Sequence, residues 1–175
     1  ENALRRGGYL EAVKHLTSGL ERLPTLPDTS ERLQQEISLR ISLGLSLVAT
    51  KGCAAPEVEK NYSRALELCR QVEATPQLYW ALWGLQGFYY VGAELPTARA
   101  LGEQLFALAQ RLQDPGLLGV AHSVLGTTLS SLGEPLLARA HLEQGIALCS
   151  AQRHARLQAI CLSFTGRVLW TLGYP

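Results

Sequence analysis

Apolar residues recur along the chain at intervals of three and four, the spacing that places them on one face of an α-helix. No stretch alternates apolar and polar residues for long enough to form a strand. Glycine and proline divide the pattern into predicted helices near 9–22, 31–50, 56–73, 76–91, 95–112, 115–131, 135–149 and 154–172. The sequence therefore predicts an all-α fold.

Prolines and one aspartate mark where several of these helices should begin. Three prolines lie at or just before the start of a predicted helix, where the missing N–H costs nothing: Pro56, Pro96 and Pro135. Asp114 precedes Pro115 and is predicted to cap the helix that follows. Gly7 and Gly8 are predicted to form a turn between helices, and they are no phosphate loop because no strand precedes them.

The helical pattern repeats with an offset of 40 residues. VLGTTLSSLGEP (124–135) matches FTGRVLWTLGYP (164–175), and TARALGEQLFAL (97–108) matches LARAHLEQGIAL (137–148). Each copy contains two predicted helices, and stacked pairs can bury an apolar stripe that one pair leaves exposed. Gly126 is expected to let the two helices of its pair approach closely. We predict a right-handed α-solenoid of about four helix pairs, forming a single repeat domain over residues 1–175.

Composition excludes several classes of protein. With 47% apolar residues, 18% charged residues and a net charge of +1, the chain is globular and shows no basic footprint for nucleic acid or an anionic membrane surface. No apolar run approaches the length of a membrane span. The four cysteines, Cys53, Cys69, Cys149 and Cys161, form no C-x-x-C pair, which favours free thiols in a reducing, cytoplasmic setting. Because the first residue is Glu rather than Met, we expect a piece of a longer protein.

No catalytic motif and no metal-binding motif stands out. The four histidines are His15, His122, His141 and His154, and neither His15 nor His141 has a His or Glu at position i+4 to complete a helical ligand pair. His122 is better explained as a core residue. We therefore expect no enzyme activity, no cofactor and no metal site.

Seven residues carry a family resemblance: His122, Leu125, Gly126, Leu129, Ala138, Leu142 and Gly145. Their order and spacing resemble a tetratricopeptide repeat. The offset of 40 puts Gln86 at the glycine position of the preceding repeat, and Gly87 stands beside it. The alignment of this helix with the repeat pattern is therefore open by one residue. The sequence of residues 80–175 is also similar to the repeat arm of large bacterial signalling ATPases that often carry a nucleotide-cyclase domain. This likeness implies an arm that senses or transmits partner binding.

The resemblance also implies a concave groove lined by the first helix of each pair. The residues expected to face this groove and bind are Trp80, Trp83, Tyr90, Ser123, Thr127, Arg167 and Trp170. One interpretation is that the aromatic residues anchor a peptide or helix from a protein partner, or from other domains of the parent protein. A second is that they pack inside the protein. The alternative function is a small-molecule sensor that regulates attached ATPase or cyclase domains.

The last predicted helix, 154–172, has no second helix after it in the sequence. Its apolar stripe consists of Ile160, Cys161, Phe164, Val168, Leu169 and Leu172. Because repeat arrays normally end in a polar cap, we expect this end to be covered either by self-association or by a neighbouring molecule packed against it.

Overall fold

The structure is a computed structural model that describes residues 2–72 and 75–151 and positions 162, 166, 169–170 and 173. The described helices are α1 (Asn2–Arg22), α2 (Ser30–Lys51), α3 (Pro56–Gln71), α4 (Thr75–Val91), α5 (Leu95–Leu112), α6 (Pro115–Ser131) and α7 (Pro135–Ala151). A 3-10 turn, Leu23–Thr25, joins α1 to α2. Within these described residues there is no strand, so the all-α prediction is confirmed.

Local sequence signals set the helix starts as predicted. Pro56 and Pro135 are the first residues of α3 and α7, and Pro96 is the second residue of α5. The Asp114 carboxylate accepts hydrogen bonds from the backbone N–H groups of Gly116 (2.8 Å) and Leu117 (3.0 Å) and so caps α6. The bounds of α2 to α7 agree with the predicted segments to within about two residues at almost every end. The predicted helix 154–172 and its stripe lie outside the described residues, except for a few isolated positions.

The predicted turn at Gly7 and Gly8 is wrong, because α1 continues through both residues. Neither glycine has a positive φ. A helical glycine costs about 1 kcal/mol relative to alanine, but the flanking segments ALRR and LEAV consist mostly of good helix formers. Two glycines therefore weaken this helix without ending it.

Contacts between Cα atoms divide the chain into two compact units, Glu1–Ala93 and Glu94–Pro175. In the first unit α1 packs on α2, α2 on α3 and α3 on α4, and α2 also contacts α4. In the second unit α5 packs on α6 and α6 on α7. Each unit thus contains helices that pack on their neighbours in the sequence, the arrangement expected of stacked helix pairs. A single domain over residues 1–175 stays a prediction.

One tyrosine organises the core of the first unit. Tyr62 on α3 is fully buried, and its ring lies against Gly44 on α2 and Gly84 on α4. A Cβ atom added to either glycine would lie closer than 3.0 Å to the ring. Both glycines are therefore needed for α2 and α4 to approach the tyrosine, and they are separated by the same 40 residues as the sequence repeat.

This contact resolves the open register of α4. The glycine that permits close helix packing is Gly84, and neither Gln86 nor Gly87 has that role. A Cβ atom at Gly87 would have no neighbour within 4 Å. The Gln86 side chain is buried. An offset of 40 residues from Gly126 therefore predicts the wrong residue of α4 for the close contact between helices.

The second unit combines large and small residues in the same way. A Cβ atom at Gly126 would lie 2.7 Å from Leu142 Cγ and 3.1 Å from the Ala138 carbonyl oxygen. The expected close approach of α6 and α7 is thus confirmed. Gly102 on α5 takes the position equivalent to Leu142, and there a leucine from α6, Leu125, fills the space. Large residues face small ones at these contacts, as dense packing requires.

Gly84→Ala should destabilise the first unit, because its methyl group would overlap the Tyr62 ring. We expect the free energy of unfolding to fall by about 1–3 kcal/mol. Gly87→Ala is the matched control on the same helix. It meets open space and gains up to about 1 kcal/mol of helix propensity, so its stability should equal or exceed that of the wild type. Denaturant unfolding measures both, and equal losses in the two variants would contradict the assigned register.

Gly126→Ala should also destabilise the protein, although helix propensity alone predicts a neutral or stabilising change. Its new methyl group would press on the fully buried Leu142 side chain and on the Ala138 backbone carbonyl. Gly126→Leu should cost more, at least about 1–3 kcal/mol. Thermal melts of the two variants provide the test. A Gly126→Ala protein as stable as the wild type would show that α6 and α7 lie further apart.

Candidate functional site

An aromatic surface lies on one side of α4 and consists of Trp80, Trp83 and Tyr90. The helix carries no charged residue along its sequence TPQLYWALWGLQGFYYV. Its other sides bury Tyr79, Leu82, Gly84 and Leu85 in the first unit. Because Tyr62 contacts α4 at Gly84, that contact fixes which side of the helix is left for the aromatic surface.

The two tryptophans support each other. Their rings meet edge to face, with centroids 6.0 Å apart and an interplanar angle of 78°. Trp80 also makes an edge-to-face contact with the buried Tyr79 ring, at 5.3 Å. Trp80 is 38% exposed, whereas Trp83 and Tyr90 are half-buried. The surface therefore offers one accessible indole ring that is held in place by aromatic neighbours.

Gly87 adds a recess to this surface. It shares the helical face of Trp83 and Tyr90, at spacings of four and three residues. The position of its absent Cβ has no neighbour within 4 Å. A small apolar group from another molecule can therefore enter between the two aromatic side chains.

A tyrosine next to this surface ties α4 to α3. The Tyr89 hydroxyl donates a hydrogen bond to the Glu59 carboxylate at 3.1 Å. The Phe88 and Tyr89 rings also meet edge to face, with centroids 5.2 Å apart. The hydrogen bond adds a second contact that resists rotation of α4.

The other residues predicted for the groove have different surroundings. Ser123 and Thr127 lie together on α6 in the second unit, and both are buried. Their hydroxyls donate to carbonyl oxygens of their own helix, Ser123 to Gly119 at 2.8 Å and Thr127 to Val124 at 2.9 Å. Trp170 is 76% exposed, and Arg167 lies outside the described residues. A common groove that includes these four residues stays a prediction.

The structure reveals a histidine pair that sequence reasoning missed. Nδ1 of His122 on α6 lies 3.1 Å from Nδ1 of His141 on α7. The Phe106 ring on α5 packs edge to face on both imidazoles, at centroid distances of 4.9 and 5.6 Å. A hydrogen bond between the two nitrogens requires one ring to donate and the other, neutral, to accept. The sequence did contain a signal for this pair. His122 lies one turn before Gly126, and His141 directly precedes Leu142, the residue that Gly126 contacts.

Both imidazoles are held in the neutral form. Burial lowers the pKa of His122 to about 4, with a smaller contribution from the positive charge that His141 carries when it is protonated. Burial also lowers the pKa of His141. His122 therefore packs as the sequence indicated, but as half of a hydrogen-bonded pair.

The described residues contain no group of three or more His, Cys, Asp or Glu side chains that could hold a metal ion. Cys53 and Cys69 are free thiols, and the side chains of Cys149 and Cys161 lie outside those described. None of the described helices combines the length and apolar character needed to cross a bilayer.

Comparison with known proteins identifies the fold. No protein-family model matches the sequence. No curated protein matches it at a significant level. The crystal structure of the apo form of RapI, a tetratricopeptide-like helical repeat protein, matches 97% of this chain with a TM-score of 0.79 and 15% identity. This chain spans about half, 46%, of the RapI chain. The predicted fold class, an all-α solenoid of tetratricopeptide-like helix pairs, is confirmed.

The histidine pair should make stability depend on pH. In the unfolded chain a histidine protonates near pH 6.5, whereas folded His122 resists protonation down to a pH of about 4. As pH falls through this window the unfolded state binds a proton before folded His122 does, so stability falls by up to about 1.4 kcal/mol per pH unit. The lowered pKa of His141 acts in the same direction.

Denaturant unfolding at several pH values between 7 and 4 measures this dependence. His122→Leu should flatten it. His15→Leu, at an exposed histidine of α1, is the matched control and should leave it unchanged. Identical pH profiles for the wild type and His122→Leu would contradict the effect of burial.

Proposed function

We propose that the chain is a non-catalytic protein-interaction module that binds a peptide or helix from a partner on the aromatic surface of α4. The observation that carries the proposal is the accessible Trp80 ring, which lies on the same helical face as the open position at Gly87. Tryptophan and tyrosine provide large contact areas at low cost in side-chain entropy, and they dominate the binding energy of many interfaces. The helical repeat fold, which presents successive helices side by side, supports the same function.

The partner surface should be apolar. Since α4 has no charged residue, it offers a partner no salt bridge of its own. A short peptide or an amphipathic helix with an apolar side chain that enters beside Gly87 fits this chemistry. Affinity should then change little with salt concentration, because no ion pair with α4 is screened.

The open geometry supports a peptide over an enclosed small molecule at this position. A site that encloses a ligand buries most of the ligand surface, whereas the Trp80 ring is 38% exposed. The small-molecule sensor is therefore the less supported alternative for the aromatic surface.

The biological setting of the proposal comes from the sequence resemblance. We propose a cytoplasmic sensor or scaffold arm of a bacterial signalling protein, with partners that include other domains of the parent protein. Ser123, Thr127, Arg167 and Trp170 are proposed as the binding residues of the second unit. Self-association through the end of the chain is a further proposal of the same kind.

The proposal is tested with peptides selected from a random display library against this chain. Trp80→Ala should weaken binding of the selected peptides at least tenfold, because a central aromatic anchor contributes about 2 kcal/mol or more. Tyr9→Ala removes an exposed aromatic residue from α1 and should leave the affinity unchanged. Calorimetric titration gives the dissociation constants, and circular dichroism verifies the fold of each variant.

Two results would contradict the proposed function. One is a library that yields no peptide enriched for this chain. The other is a set of selected peptides that bind Trp80→Ala as tightly as the wild type.

A further inference from the structure

A cavity in the first unit has an unusual concentration of charge. It measures about 300 Å³ and lies between α1, the 3-10 turn, α2 and α3. Its lining residues are Leu20, Leu23, Pro24, Arg32, Glu36, Arg40 and Arg64. Three arginines and a single carboxylate therefore line one cavity in a chain with only 18% charged residues. We propose that this cavity, named here the arginine cavity, binds a small organic oxyanion.

The single carboxylate already serves two of the arginines. Glu36 Oε1 accepts a hydrogen bond from Arg40 Nε at 2.7 Å, and Arg64 Nε lies 3.7 Å from the same oxygen. The Glu36 side chain is only 16% exposed. Because both arginines converge on one oxygen of one enclosed carboxylate, the positive charge of the arginine cavity exceeds what Glu36 can neutralise.

Arg32 provides a donor that no described residue satisfies. Its Nη2 donates to Asp28 Oδ1 at 2.5 Å, and its Nη1 lies 3.4 Å from the Leu26 carbonyl oxygen. Its Nε, in contrast, is buried and has no acceptor among the described residues. A buried N–H group without an acceptor destabilises the folded state. Carboxylate and phosphate oxygens are the acceptors that a guanidinium group binds most strongly.

The carboxylates that pair with Arg32 and Arg64 outside the cavity lining are exposed to water, which screens them. Asp28, the partner of Arg32, is 81% exposed. Glu67, which accepts from Arg64 Nη1 at 3.0 Å, is 62% exposed. Exposed ion pairs of this kind are weak, so an anion inside the arginine cavity can compete with them.

The rest of the lining selects the size and character of the ligand. Leu20, Leu23 and Pro24 form an apolar wall opposite the charged residues of α2 and α3. A volume of about 300 Å³ lies at the small end of ligand sites. The ligand should therefore combine a compact carboxylate or phosphate head with a short apolar body. Since the cavity involves neither α4 nor its aromatic surface, this inference is independent of the proposed peptide binding.

The test compares thermal melts in chloride, inorganic phosphate and hexanoate at equal ionic strength. We expect a saturable rise in melting temperature with at least one of the two oxyanions, because a ligand that binds only the folded state stabilises it. A response to hexanoate alone would identify a carboxylate ligand. A response to phosphate alone would identify a phosphate ligand.

Arginine variants separate binding in the cavity from general salt effects. In Arg32→Gln, the oxyanion concentration needed for a half-maximal rise in melting temperature should increase at least tenfold. Arg70→Gln removes an exposed arginine of α3 outside the cavity and should leave it unchanged. Glu36→Gln removes the competing carboxylate and should shift the response to lower oxyanion concentration. The proposal is overturned if neither oxyanion gives a saturable shift, or if Arg32→Gln responds as the wild type does.

Discussion

The first unit depends on the insertion of the Tyr62 ring between two glycines on neighbouring helices. Gly44 and Gly84 have no side chains that would hold α2 and α4 away from α3, so one large ring is in contact with both helices at once. The Tyr62 hydroxyl is buried without a hydrogen-bond partner among the described residues, which costs about 1–3 kcal/mol. The packing of the ring must more than offset this cost, because van der Waals contact in a dense core is the dominant favourable term at such a position.

In the second unit, too, a large side chain packs against a glycine on a neighbouring helix, with different residues. Position 142 carries a leucine that faces Gly126, and the equivalent position 102 carries a glycine that faces Leu125. At both contacts a leucine faces a glycine, and the two contacts differ in which helix of the pair provides the leucine. This explains why the literal repeat of a glycine at one offset was a poor guide to the close contact in α4.

Packing at these contacts also decides where polar groups lie. The contact of Tyr62 with Gly84 fixes the rotation of α4, and Trp80, one helical turn before Gly84, is left accessible. The approach of α6 and α7 brings His122 and His141 within hydrogen-bonding distance, and the site is dry enough to lower both pKa values. In the first unit, α2 and α3 provide the three arginines and Glu36 that line the arginine cavity. The histidine pair and the arginine cavity therefore depend on helix packing, since no single helix contains all of their groups.

The sequence by itself determined the all-α class, the position of almost every helix end and the existence of a repeating helix pair. These features depend on residues close together along the chain: the spacing of apolar residues, the prolines at helix starts and the Asp114 cap. The turn predicted at Gly7 and Gly8 from these local signals was wrong, because α1 continues through both residues with helix formers on either side. Only the tertiary structure decided the register of α4, the pairing of His122 with His141 and the closure of the arginine cavity. Each of these features involves residues on different helices. The distance between such residues depends on how each helix is rotated and how far apart the helices lie. Side-chain volumes at the helix contacts set both quantities, and the spacing of apolar residues along the chain does not specify them.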